Sequence, residues 1–254
     1  MKKLITCIFI LLTGLQLSAQ ASGDLDSLKQ KLQITSDSLK GPIYIEIANQ
    51  YLKIDTSSRR IRFRNQLEAL NYTMLALHNY SGRNDSLGLR TCFNSLSKIY
   101  YLQRKFVQAK WFVLQSNGIS RQKNDIPNII TSLIELSDIK AEIKDYNLAM
   151  RDLNEALALS LKTKNLKSES AVQVGYAGLY RHMKEFTKAT IAIKRHEFID
   201  DSIQKDEIAR LAKLNTRDSV QIKKQDSVIV KKKAYTSRPK KAFKPNSGKR
   251  IASL

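Results

Sequence analysis

The sequence predicts an all-α solenoid of helix–turn–helix pairs, followed by a long charged helix and a basic disordered tail. Three observations carry this prediction. Apolar residues recur with a fixed period of 40: Phe106, Tyr146 and Phe186; Ala109, Ala149 and Ala189; Leu96, Leu136 and Tyr176; Ile99, Ile139 and Leu179; Val113, Leu153 and Ile193. A fixed period across so many apolar positions is the mark of a stacked repeat array. Inside each unit the same residues fall three and four apart, which places them on one face of a helix. Helix breakers are scarce, with four Pro and nine Gly in 254 residues, as expected of helices joined by short turns.

Each element follows from these patterns. Asp85, Asp125 and Asn165 mark the starts of successive units. In the second unit Phe93, Leu96, Ile99 and Tyr100 form one helical face. A polar turn, Gln103 to Lys105, precedes a second face of Phe106, Ala109, Val113 and Ser116. The third unit repeats this with Leu133, Leu136 and Ile139, then Tyr146, Ala149, Leu153 and Ala156. The fourth uses Tyr176, Ala177, Leu179 and Tyr180, then Phe186, Ala189 and Ile193. Ser97, Ser137 and Ala177 are small where two helices must approach closely, since larger side chains would hold the pair apart.

These residues resemble the tetratricopeptide repeat (TPR) family. Its helix pair sets a large residue before a small one, then an aromatic, then a Tyr or Phe ahead of an Ala, with another small residue seven later. Leu96, Ser97, Tyr100, Phe106, Ala109 and Ser116 fit this order, as do Leu136, Ser137, Tyr146, Ala149 and Ala156. The fourth unit matches at Tyr176, Ala177, Tyr180, Phe186 and Ala189, but has His196 at the last small position, a departure that suits a terminal unit. A degenerate first unit is carried by Tyr44, Ile47, Ala48 and Tyr51, then Ala69 and Ala76, with a long connecting loop expected around Thr56 to Arg64. The resemblance covers Tyr44 to Lys233. The period exceeds the family's usual one and implies longer helices, similar to the exported sensor arms of bacterial TPR histidine kinases and regulators. Phe198-Ile-Asp-Asp-Ser202 ahead of a charged helix is similar to the segment that leaves the repeats in those proteins. Kinase motifs, a second apolar span and a helix-turn-helix are not visible.

The domain organisation expected is a signal peptide at 1–21, a linker or helix at 22–42, a repeat array of about four helix pairs at 43–200, a charged helix at 201–233 and a basic disordered tail at 234–254. Lys2 and Lys3, the apolar run Leu4 to Leu17 and the small residues around Ala19 and Ala21 have the order of a secretory signal. Export to the periplasm or cell envelope is the expectation, with an uncleaved membrane anchor as the alternative. The mature chain would keep one cysteine, Cys92, and so no internal disulfide; its alignment with Ser132 and Val172 makes it a packing residue.

The formal net charge is +21, and residues 207–254 carry fourteen Lys and Arg against three acids. The tail residues Arg238, Lys240, Lys241, Lys244, Lys249 and Arg250 are candidates for binding an anionic envelope polymer or a lipid surface. Nucleic acid is a poor partner for an exported chain. No metal-ligand spacing, nucleophile elbow or phosphate-cradling glycine loop is present, so neither catalysis nor a cofactor is expected. The resemblance implies a concave groove lined by the first helix of each pair. By register its candidate partner-binding residues are Asn94, Lys98 and Tyr101, then Glu135, Asp138 and Glu142, then Arg181 and His182. Asn, Tyr and both charges suit an extended peptide or a partner helix. The function expected is an exported scaffold for protein–protein interaction. Alternatives are attachment to polyanions or an envelope surface through the tail, and a stand-alone sensor arm.

Overall fold

A computed structural model describes residues 24–54 and 57–236, with side chains to Lys213. The expected signal peptide and all six tail candidates, Arg238 to Arg250, lie outside the described residues. The chain divides between Asp201 and Ser202 into two units.

The first unit is helical throughout its described length, as the periodicity predicts. Helix α1 spans 24–34, and a short 3-10 turn, Asp37–Leu39, leads into α2 (Lys40–Lys53) and α3 (Arg59–Ser81). Then follow α4 (Ser86–Leu102), α5 (Phe106–Gln122), α6 (Ile126–Glu142), α7 (Tyr146–Lys162), α8 (Leu166–His182) and α9 (Phe186–Thr236). From α4 to α8 every helix has 17 residues and starts 20 after the last. The long period is therefore spent on longer helices, as expected.

The turns share one geometry. Asn84, Arg104, Asn124, Lys144, Lys164 and Lys184 all have φ between 52° and 64°, in the left-handed region. In each case the next residue's N–H donates to a carbonyl five positions back, as Lys105 does to Tyr100 and Asp145 to Lys140. That bond closes the finished helix. At Asp85, Asp125, Asp145 and Asn165 the same residue then caps the new helix, its side chain accepting from N–H groups of the first turn.

The core is the seam between stacked helices. Leu96, Ile99, Ala109, Val113, Ala149, Leu153, Ala156 and Ala177 are fully buried, and Ser97 and Ser137 sit in the seam with them. The seam loosens at the fourth pair, where Phe186 is 65% exposed and Ile193 is half-buried. His196 fills its expected small position by turning polar. Its Nδ1 lies 2.6 Å from the Ser170 hydroxyl, which also donates to Asp200 at 2.5 Å. Arg195 meanwhile donates to the buried Glu169 at 2.8 Å. These bonds brace α9 against α8.

One feature differs from expectation. The loop expected around Thr56 to Arg64 is shorter, because α3 already starts at Arg59, with the Ser58 hydroxyl accepting from the Ile61 N–H. The arginine-rich first turn lacks apolar periodicity, which hides the start of the helix.

A buried ion pair joins α6 to α7, Lys140 to Asp152, both under a tenth exposed. Burial raises the Asp152 carboxyl above its ordinary value, and Lys140 opposes that rise.

Two stability predictions follow from the turns and the pair. Lys144→Gly relieves the left-handed strain and is expected to raise stability by about 0.5–1 kcal/mol. Lys144→Val should lower it by about 1–2 kcal/mol, because a β-branched residue resists that region. Urea unfolding separates the two, and equal midpoints would contradict the strain argument. Asp152→Ala should cost about 3–5 kcal/mol by leaving a buried ammonium unpaired, whereas Lys140→Met with Asp152→Leu should restore most of the loss. A double variant as unstable as the single one would show that shape, not charge, matters there.

Candidate partner-binding groove

Helices α4 and α6 are the first helices of the second and third pairs. On α4, Asn94, Lys98 and Tyr101 fall on one face at spacings of four and three. On α6, Glu135, Asp138 and Glu142 do the same at three and four. Five of these six line one cavity of about 320 Å³: Asn94, Lys98, Tyr101, Glu135 and Asp138. The sixth, Glu142, joins them through the Tyr101 hydroxyl, which donates to its Oε1 at 3.2 Å. Arg181 and His182 stand exposed at the end of α8 and do not line the cavity. His182 reaches it only through its field, which favours the ionised form of Asp138.

The cavity exists because spacing along the array is uneven. α6 packs closely on α8, while α4 and α6 hardly approach one another. Register explains the difference. Gly175 and Gly178 of α8 stand 40 residues after Glu135 and Asp138, at the positions where α4 has Ser95 and Lys98. A Cβ on Gly175 would meet Leu153 at 2.7 Å and Ile134 at 3.4 Å, so glycine admits the close approach. On the other flank of α6, Lys98, Asn94 and Tyr101 occupy the space instead. Sequence reasoning missed Ser95, Ser97 and Ile139 as lining residues, and it missed both glycines. The alignment that marked the groove held the signal for the glycines.

The electrostatics of the cavity are unusual for a chain of net charge +21. Glu135 and Asp138 have no hydrogen bond or ion pair among the described residues. Glu135 is half-buried and Asp138 open to water at its tip, yet the protein around the cavity displaces much of the water near both. That burial pushes Glu135 up to about 7, with the neighbouring Asp138 charge adding and Lys98 opposing. Burial likewise raises Asp138 to about 6, against the pull of His182. Burial and the Glu142 charge raise the Tyr101 phenol to about 12, so it remains a donor. Glu135 and Asp138 on the wall of α6 thus gain charge as pH rises through about 6 to 7.

Among the described residues, one cluster away from the groove brings groups of catalytic type together. Ser170, His196 and Asp200 touch, but Ser170 and Asp200 both approach the same ring nitrogen. A nucleophilic triad sets serine and carboxylate on opposite nitrogens. Cys92 is fully buried, and burial pushes its thiol up to about 12, which suits packing and not nucleophilic attack. Among the described residues no helix is long and apolar enough to cross a membrane.

The raised Glu135 gives a testable pH dependence. Above its ordinary value of 4.5 the unfolded chain has released a proton that the folded chain still holds. Stability from this group is therefore full below 4.5 and is lost as pH rises through about 7. Glu135→Gln should be more stable than the parent above that range, with a shallower decline through it. Unfolding midpoints across pH check this, and parallel curves for the two proteins would refute it.

No family model matches the sequence, and no curated protein matches it. Solved structures do. The chain is similar to BtubC from P. vanneervenii, with a TM-score of 0.57 and 18% identity over 73% of this chain and 76% of that one. It is similar to the apo form of RapI, with a TM-score of 0.56 and 17% identity over 71% of this chain and 63% of that one. A Podosopora anserina putative kinesin light chain with nearly identical TPR-like repeats aligns with a TM-score of 0.59 and 16% identity, over 77% and 93%. At such identities the likeness speaks to architecture. The 40-residue helix pairs, their seam and these neighbours together establish that the chain has the TPR-type α-solenoid fold.

Proposed function

We propose that this protein is an exported scaffold that binds a partner protein in the groove between α4 and α6 and does no catalysis itself. TPR-like architecture suggests a protein-interaction scaffold. The observation that carries the proposal is the cavity itself, where unpartnered carboxyls, a lysine, an amide and a phenol converge on one concave wall. Such a wall offers an extended peptide both hydrogen-bond donors and acceptors, with Ile139 as an apolar floor. Export rests on the basic, then apolar, then small order of residues 1–21. Groove contacts are short-range and partly apolar, so binding is expected to survive high salt, unlike attachment through a basic tail.

The test is cross-linked recovery of partners from the native cell envelope, using the mature chain and a version ending at Lys233. Both versions should capture the same discrete proteins after a high-salt wash. Asn94→Ala with Lys98→Glu should weaken capture by roughly tenfold or more, a typical effect for residues central to an interface, with helicity unchanged. Capture that ignores the groove variant and vanishes with the tail would refute the proposal. Export is checked separately, by the N-terminal residue of the protein recovered from the envelope; a cytoplasmic, full-length product would refute that part.

A further inference from the structure

The N-terminal end of α3 carries a surface that the groove does not explain. Residues 59–64 read Arg-Arg-Ile-Arg-Phe-Arg, and all six are exposed. The first turn of α3 has no acid. A helix N-terminus is already the positive end of the macrodipole, so the guanidinium groups of Arg59, Arg60 and Arg64 there work against folding. Arg59, Arg60 and Arg64 have no ion pair among the described residues.

The apolar residues between and beyond them are arranged. Phe63 is 53% exposed, Leu67 40% and Met74 49%. At about 100° per residue these three fall within roughly 40° of one another on the helix. Arg59 flanks the stripe on one side, and Arg60 and Arg64 on the other. The face that α3 gives to the core is a different one, made of Ala69, Thr73, Ala76 and Tyr80. An apolar stripe edged by cations on both sides is the pattern of a helix lying in a membrane interface. A soluble anion would need the arginines but not Phe63 and Leu67.

We propose that this end of α3 docks on an anionic phospholipid bilayer. Phe63, Leu67 and Met74 enter the interface, and Arg59, Arg60 and Arg64 meet headgroup phosphates. This surface is separate from the groove, so each stands or falls alone.

The experiment is vesicle sedimentation with the full mature chain at physiological salt. Vesicles of phosphatidylcholine mixed with phosphatidylglycerol are compared with phosphatidylcholine alone. The wild type should sediment with the mixed vesicles only. Arg59→Ser with Arg60→Ser and Arg64→Ser should weaken binding by roughly tenfold or more, since each basic side chain near the surface contributes substantially. Phe63→Ser should remove the part of the binding that persists at high salt. These side chains are exposed, so circular dichroism and melting should match the wild type. The basic tail is common to every variant and cancels from the comparison, and Lys98→Glu should bind vesicles as the wild type does. Equal binding by the wild type and the arginine variant would overturn the proposal. So would equal binding to neutral vesicles, or binding of inorganic phosphate without binding of mixed vesicles.

Discussion

The structure depends on a short turn that returns every 20 residues. In each turn a left-handed residue lets the next N–H reach back to the carbonyl five positions earlier. At four of the six turns that same residue then caps the following helix with its side chain. One residue ends a helix and begins another, so the helices have no freedom in length. Seventeen residues, about 25 Å of helix, become the module. Equal modules fix the register, and a fixed register makes the core periodic. Apolar side chains at a given position always meet the same neighbours, one unit on, and Ala109, Ala149 and Ala189 are all buried for that reason.

A frame this regular would give a featureless groove, and function enters where side-chain size breaks the regularity. Gly175 leaves room for Leu153 and Ile134 where α8 packs on α6, while Lys98 and Tyr101 line the gap between α4 and α6. The gap that results sits beside a wall of three acids in a strongly basic chain. The raised proton affinity of Glu135 and Asp138 follows from the shape, since a concave wall removes water from a carboxylate and leaves its neighbours close. The buried Lys140–Asp152 pair is the opposite case. It spans two helices, is closed off from solvent, and serves the frame.

What the sequence made legible was whatever repeats. The seam positions, the unit starts at Asp85, Asp125 and Asn165, and the long helices recur three times and so rise above chance. Five residues that line one cavity were legible by register alone. Features that occur once were hidden. The start of α3 at Arg59 was missed because its first turn is neither apolar nor acidic, and the serine that caps it was taken as loop. Lys140 and Asp152, 12 residues apart, look like solvated positions until two helices bring them together. His196 was legible as a departure, but not its bond to Ser170, which depends on how far α9 lies from α8.

The groove and the arginine-edged stripe use different helices. The groove lies between α4 and α6, the first helices of their pairs, whereas the stripe lies on α3, a second helix, and the two share no residue. The turn geometry that equalises the helices also holds both faces rigid, because no hinge lies between α3 and α6 other than turns of three or four residues closed by backbone hydrogen bonds. A protein held at a surface by α3 would present its groove in a fixed orientation. That fixed presentation is what a scaffold needs, and it follows from the same 20-residue step that sets the fold.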